Sequence, residues 1–166
     1  MKKRICIMLA AAILGCAAMV SCGSNEDKNT SSAQAANVTE NIDVVSVADK
    51  LKNDITYKDT LTELSSDMIA KLFGLTAGTD YITGKVYVGS GGATAEEIAC
   101  FEAKDSAGAA KIKETLEKRV ESQKKAFENY QPKEMDKLNS PIITVKGNYV
   151  MMCISDDNAK AQEIMG

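Results

Sequence analysis

The stretch that decides the fold runs from Ile142 to Ile154 and reads IITVKGNYVMMCI. Two runs of apolar or β-branched residues flank the turn residues Lys146, Gly147 and Asn148. Such runs around a short Gly-Asn turn are typical of a β-hairpin. The sequence therefore predicts an antiparallel hairpin close to the end of the chain, and the other elements are placed around it.

A second hairpin is predicted upstream of the first. Residues 85–88 (KVYV) are β-prone and end at the glycine-rich break 89–92 (GSGG). Residues 96–103 leave an alternative open, because Thr94 and Glu97 have the spacing of a capping box, which favours a helix. The nearby glycine-rich break favours a partner strand instead, and we predict a strand.

Four further segments place apolar residues at helical spacing. The predicted helices and their N-caps are 43–55 with Asp43, 66–73 with Ser65, 106–130 with Asp105, and a closing helix to about residue 165 with Asp156 or Asp157. The resulting order is α-α-β-β-α-β-β-α. Two hairpins separated by one long amphipathic helix predict an α+β domain over residues 42–166, with a small antiparallel sheet and helices on one face.

The N-terminal segment has the features of a secretory leader. Lys2, Lys3 and Arg4 precede the uncharged, mostly apolar run 5–20. That run is shorter than the ~20 residues that span a bilayer, but it suits the core of a signal peptide. We therefore predict a signal peptide over residues 1–21.

The leader ends at Cys22, in a context that resembles a bacterial lipobox. Ser21 provides the small residue before the thiol that would receive diacylglycerol and become the mature N-terminus. Cys16 fits the same pattern, but an apolar segment follows it, whereas polar sequence follows Cys22 directly. We predict a diacylglycerol and palmitate anchor on Cys22, which would hold the protein on the extracytoplasmic face of the bacterial cell membrane. Residues 22–41 are then the lipidated cysteine and a polar, flexible tether.

Composition narrows the possible functions. The chain has 20 Lys and Arg, 23 Asp and Glu, and no His. Since none of the acids precedes Cys22, the segment after it is acidic, which argues against nucleic acid as a partner. The absence of His removes the Ser-His and Cys-His catalytic pairs and most zinc sites. We therefore expect a non-enzymatic protein with no metal and no cofactor apart from the lipid.

Two groups of residues are candidates for a binding surface. Gly89, Ser90, Gly91 and Gly92 could offer backbone N–H groups to an anion, but the Gly-Lys-Ser/Thr of a phosphate loop does not follow, so a hairpin turn is the favoured interpretation. Arg119 and Gln123 lie one helical turn apart, near the apolar stripe of the long helix. They would contact either loop carbonyls at the sheet edge or a ligand.

The remaining cysteines and paired acidic residues, which could in principle take part in catalysis or metal binding, are better explained by structural roles. Cys100 and Cys153 lie in predicted strands, where they are expected to be buried fillers, with a disulfide as the alternative. Glu96 and Glu97 are adjacent on a strand and would point to opposite faces, which makes them a poor acid/base pair. Asp156 and Asp157 lack the spacing of a calcium loop and fit a helix start.

Three blocks of sequence carry a family resemblance. They are residues 86–99 (VYVGSGGATAEEIA), 118–124 (KRVESQK) and 146–150 (KGNYV). In this order, and with the lipoprotein leader, they resemble a family of small bacterial lipoproteins known as domain of unknown function 4358. The resemblance implies an architecture and a location, but no ligand and no catalytic residue.

These observations lead to one functional expectation with two alternatives. We expect a membrane-anchored domain that acts by binding an unknown protein or small ligand at the cell surface. The first alternative is capture or sensing of a small molecule beside the glycine-rich turn, and the second is an enzyme that acts on the cell wall. A concave polar pocket would favour capture, whereas clustered ionisable groups within it would favour an enzyme.

Overall fold

The structure, a computed structural model, describes residues 41–166. The predicted signal peptide, Cys16, Cys22 and the tether lie outside the described residues. None of the helices described is long and apolar enough to cross a membrane.

The described residues form five helices and five strands. The helices are α1 Val44–Asp54, α2 Ser66–Phe73, α3 Ser106–Phe127, α4 Met135–Asn139 and α5 Asn158–Met165. The strands are β1 Leu61–Glu63, β2 Thr83–Gly89, β3 Glu97–Glu102, β4 Ile142–Lys146 and β5 Tyr149–Ile154. A short 3-10 turn, Pro132–Glu134, leads into α4.

The strands make one antiparallel sheet in the order β1-β2-β3-β5-β4. The two predicted hairpins are β2–β3 and β4–β5, joined side by side where β3 pairs with β5. Residues 97–102 are therefore a strand, and the helical alternative is wrong. The α+β class is confirmed, and the predicted order is correct apart from two short elements, β1 and α4.

Helices cover both faces of the sheet, which corrects the prediction of helices on one face. Side chains alternate along β3, so that Ala99 and Phe101 face α2, α3 and α4, whereas Ile98 and Cys100 face α1 and α5. The same alternation holds in β5, whose six residues are all buried. Because the two central strands are apolar on both faces, each face needs a layer of helices to exclude water.

The helix ends follow the predicted capping chemistry. The Asp43, Ser65, Asp105 and Asp157 side chains each accept a hydrogen bond from a backbone N–H in the first turn of α1, α2, α3 and α5, respectively. Gly74 ends α2 in the left-handed conformation, with φ of 67°. The one clear difference is α3, which ends at Phe127 rather than near residue 130.

Candidate functional site

A cavity of about 400 Å³ lies beside the start of β3, between α2, α3 and the end of β2. Its lining combines apolar and polar side chains with the glycine-rich loop. The lining residues are Leu72, Val88, Gly89, Gly92, Thr94, Glu96, Glu97, Arg119, Ser122, Gln123, Ala126 and Phe127. A cavity of this volume is in the range of small-molecule sites, and half of its lining residues are polar or charged.

Glu97 is a completely buried carboxylate that pairs with α3. Arg119 donates from Nη2 to Oε2 at 2.8 Å and from Nε at 3.1 Å. Gln123 donates from Nε2 to the same Oε2 at 3.1 Å. Arg119 and Gln123 therefore contact a side chain of β3, not the loop carbonyls that the sequence suggested as one option.

Glu96 is buried as well, but it binds a different set of partners. Its carboxylate accepts from the backbone N–H groups of Lys58 and Asp59 and from Lys137 Nζ at 3.0 Å. Lys137 also donates to Glu134 Oε2 at 2.9 Å, and Glu134 Oε2 accepts from the Ala95 N–H. This buried network ties the α1–β1 loop and α4 to the start of β3.

The two adjacent glutamates are shifted in opposite directions. Burial acts to raise the pKa of Glu96, but the backbone N–H donors of Lys58 and Asp59 together with the Lys137 ammonium lower it below its usual value. Burial raises the pKa of Glu97, although the Arg119 guanidinium and the Gln123 amide act against that shift. The difference arises because Glu97 is buried more deeply, and because Glu96 has two backbone donors that Glu97 lacks.

Two oxygen atoms in the cavity wall have no hydrogen-bond partner among the described residues. They are Thr94 Oγ1 and Gln123 Oε1, both shielded from water. Gln123 is only 7% exposed, and its amide nitrogen is held by Glu97, so its oxygen faces away from that carboxylate. Buried polar atoms are almost always paired in folded proteins, and an unpaired one costs about 1–3 kcal/mol. Two such atoms in one cavity mark it as a place where a ligand can supply the missing donors.

Arg119 also borders a second, shallower depression of about 240 Å³ on its outer side. This outer depression is lined by Leu72, Phe73, Thr115, Lys118, Arg119 and Ser122. The Arg119 guanidinium lies 5.5 Å from the centre of the Phe73 ring. Since Nε and Nη2 each donate towards Glu97, three of the five guanidinium N–H groups have no acceptor within residues 41–166.

The glycine-rich loop 89–92 does bind an anion, but the anion belongs to the chain itself. Asp59 Oδ2 accepts from the Gly91 N–H at 2.7 Å, and Asp59 Oδ1 lies 3.3 Å from Ser90 Oγ. A Cβ atom at Gly89 would lie 2.9 Å from Thr94 Oγ1, so a glycine is required there by close packing. Gly89 and Gly92 line the cavity together with Arg119 and Gln123, whereas Ser90 and Gly91 contact Asp59.

The cysteines lie away from the cavity, on the face that packs against α1 and α5. Cys100 and Cys153 are buried free thiols on the paired strands β3 and β5. Burial raises the pKa of both thiols. Both side chains fill the apolar layer, as the favoured interpretation of the sequence has it.

Other polar clusters in the described part of the chain have a structural role. Asp157 caps α5, and Asp156 pairs with Lys58 at 2.9 Å. In residues 41–166, no group of three or more Cys, Asp and Glu is arranged to hold a metal ion. A larger depression of about 610 Å³ between α3 and β4 is lined mainly by charged side chains that pair with one another along α3, such as Lys118 with Glu114.

Sequence reasoning identified Arg119, Gln123 and the glycine-rich loop, but it missed their acidic partners. Glu96 and Glu97 were considered only as an acid/base pair, and Glu134 and Lys137 were given no role. Burial of Glu96 and Glu97 could have been predicted from their position, because they directly precede the apolar run 98–101, which lies in the central strand β3.

Comparison with known proteins gives a family but no characterised relative. The family model described as Domain of unknown function (DUF4358) matches residues 53–155, which include every residue that lines the cavity. No curated protein and no solved structure matches the chain.

Proposed function

Since the chain belongs to the family described as Domain of unknown function (DUF4358), we propose that it is a lipid-anchored, extracytoplasmic domain that captures a small polar ligand without transforming it. The ligand occupies the cavity between α2, α3 and the end of β2. The lipid on Cys22 holds the domain at the outer face of the membrane. This is the first of the two alternatives to the expected interaction domain that the sequence leaves open.

The observation that carries the proposal is the pair of unpartnered oxygens, Thr94 Oγ1 and Gln123 Oε1, in one cavity. A surface that only docks another protein has no need for buried, unpaired acceptors, which lower stability. A ligand with N–H or O–H groups would donate hydrogen bonds to these two oxygens when it binds, and so would remove the destabilisation. Small-molecule capture is therefore favoured over protein docking.

The carboxylates in the cavity support binding rather than catalysis. Glu96 accepts from three donor groups and Glu97 from two side chains, and each is held in place by a buried or half-buried cation. A general acid or base must reach the proton that it transfers. Because these carboxylates are already saturated by the chain's own donors, they shape the cavity and fix Arg119 and Gln123.

The test is to map where small molecules bind on the full chain, purified from membranes in detergent. We expect ¹H–¹⁵N spectra recorded with a panel of amino acids, dipeptides, sugars and nucleosides to show saturable shifts at the amides of the cavity lining for at least one class. Shifts confined to other surfaces, or no saturable shift with any class, would contradict the proposal.

Two leucine-sized side chains on α2 provide a matched control. Leu72 and Met68 are both 40% exposed, but only Leu72 lines the cavity. We expect Leu72→Ala to weaken binding several-fold and Met68→Ala to leave it unchanged. Equal effects of the two variants would argue against the cavity as the binding site.

A further inference from the structure

We infer that the ligand is an α-amino carboxylate, either a free apolar amino acid or the C-terminal residue of a short peptide; this inference rests on the proposed function. The assignment follows from the polarity of the site. The donors of Arg119, which borders both the outer depression and the cavity, form one end, and the unpartnered oxygens of Gln123 and Thr94, which line the cavity alone, form the other.

The donor end is formed by Arg119. Three of its N–H groups have no acceptor among the described residues, and the Arg119 side chain borders both the outer depression and the cavity. A guanidinium edge with free N–H groups matches the two oxygens of a carboxylate. Because the Phe73 ring and Glu97 hold the guanidinium in place, little side-chain entropy is lost when a carboxylate binds.

The acceptor end is formed by Gln123 and Thr94, which line the cavity and whose Oε1 and Oγ1 atoms are unpartnered. This arrangement favours an ammonium or amide N–H. Both oxygens are shielded from water, so lining side chains must rotate for a ligand to reach them, a change that is common on binding. Leu72, which is 40% exposed, is one of the side chains that line the cavity.

The charge balance favours a zwitterion over a phosphate ester. The cavity lining contains the acids Glu96 and Glu97 and the base Arg119, and the buried Lys137 beside Glu96 balances the second acid. A dianionic phosphate would add net charge to a site whose own charges are balanced, whereas a zwitterionic amino acid adds none. Leu72, Val88 and Phe127 would contact an apolar side chain.

The experiment is calorimetric titration of the full chain in detergent with four probes of one shape. L-Leucine and glycyl-L-leucine carry both end groups; L-leucinamide lacks the carboxylate, and 4-methylpentanoate lacks the amine. We expect at least one of the first two to bind, and each truncated probe to bind about tenfold or more weakly, the loss of roughly one charged hydrogen bond. Comparison of L-leucine with glycyl-L-leucine separates the free amino acid from the peptide end.

A variant of Arg119 tests the role of the guanidinium, and other ligand classes separate failure of the ligand assignment from failure of the proposed function. Arg119→Lys keeps the charge but not the planar fork, and we expect it to weaken L-leucine or glycyl-L-leucine at least tenfold and L-leucinamide by a smaller factor; equal losses for all of them would contradict the carboxylate assignment. If none of the four probes binds but another class of the panel shifts the cavity amides, the ligand assignment is wrong and the proposed function stands. If no class shifts the cavity amides, the proposed function itself fails.

Discussion

Arg119 Nη2 lies 2.8 Å from Glu97 Oε2, so a fully buried carboxylate of the central strand β3 is paired with a guanidinium at the wall of a cavity. The two partners are not equivalent. The Arg119 side chain is 23% exposed, whereas the Glu97 side chain has no contact with water. Loss of one partner therefore has a different consequence from loss of the other.

We expect Arg119→Met to destabilise the protein by about 3–5 kcal/mol near neutral pH, because it leaves Glu97 buried without its cation. Glu97→Gln should cost less, since Arg119 can still reach water and donate to the amide. Chemical denaturation of the full chain in detergent measures both values. A larger loss in Glu97→Gln than in Arg119→Met would contradict this ranking.

The loss in Arg119→Met should depend on pH. Burial raises the folded-state pKa of Glu97 above its usual value of 4.5, and removal of the guanidinium raises it further. A carboxyl group with a raised folded pKa favours folding below its unfolded pKa, and that contribution is lost as pH rises through the folded pKa. The deficit relative to the parent protein should therefore be small near about pH 4 and grow as the pH rises towards about 7. A deficit that grows on acidification would have the wrong sign.

A second prediction concerns Lys137, whose side chain is buried between Glu96 and Glu134. Lys137→Met keeps the length of the side chain but leaves two buried carboxylates unpaired, and we expect a loss of about 3–5 kcal/mol. Lys58→Met is the control, because Lys58 pairs with Asp156 at the surface and should cost less than about 1 kcal/mol. Similar thermal unfolding of the two variants would refute the role of the buried network.

Thr94 provides a prediction in which stability and binding change in opposite directions. Thr94→Val removes an unpartnered buried hydroxyl at nearly constant volume, so the ligand-free protein should gain about 1 kcal/mol. The same variant should bind ligand several-fold more weakly. Thr94→Ser keeps the hydroxyl and should not gain stability. A destabilised Thr94→Val would mean that the hydroxyl has a structural role in the free protein.

The predicted lipid anchor on Cys22 lies outside the described residues, and labelling in cells tests it. Cys22→Ala should abolish incorporation of an alkyne fatty acid in cells, whereas Cys16→Ala should leave it intact, because polar sequence follows only Cys22 directly. Labelling followed by gel fluorescence compares the two variants. Label retained in Cys22→Ala would contradict the assignment of the lipidated residue.

The sequence was sufficient to predict those structural features that depend on residues close together in the chain. The turn at Gly147 and the caps Asp43, Ser65 and Asp105 are local hydrogen-bonding and backbone effects, and they lie where they were predicted. The bounds of α2 were predicted to the residue for the same reason. Short elements such as β1 and α4 were missed, because three to five residues carry too little periodicity to be recognised.

The candidate site could be predicted only in part, because its central contacts join residues far apart in sequence. Glu97 binds Arg119 at a separation of 22 residues, and Glu96 binds Lys137 at a separation of 41. The sequence shows Glu96 and Glu97 only as neighbours on a predicted strand, and the arrangement of α3 and α4 over β3 supplies the cations that pair with them. Arg119 and Gln123 were recognised because their position near the apolar stripe of a long helix is a local property.

The central claim is that the cavity between α2, α3 and the end of β2 is where the protein binds its ligand. Ala126 and Ala110 are both exposed on α3, but only Ala126 lines the cavity. The most direct test is the dissociation constant of the tightest-binding panel compound for the full chain and for Ala126→Phe and Ala110→Phe. We predict that Ala126→Phe, which fills the cavity mouth, raises the constant at least about tenfold, or roughly 1.4 kcal/mol, and that Ala110→Phe leaves it unchanged. An unchanged constant in a folded Ala126→Phe would contradict the account.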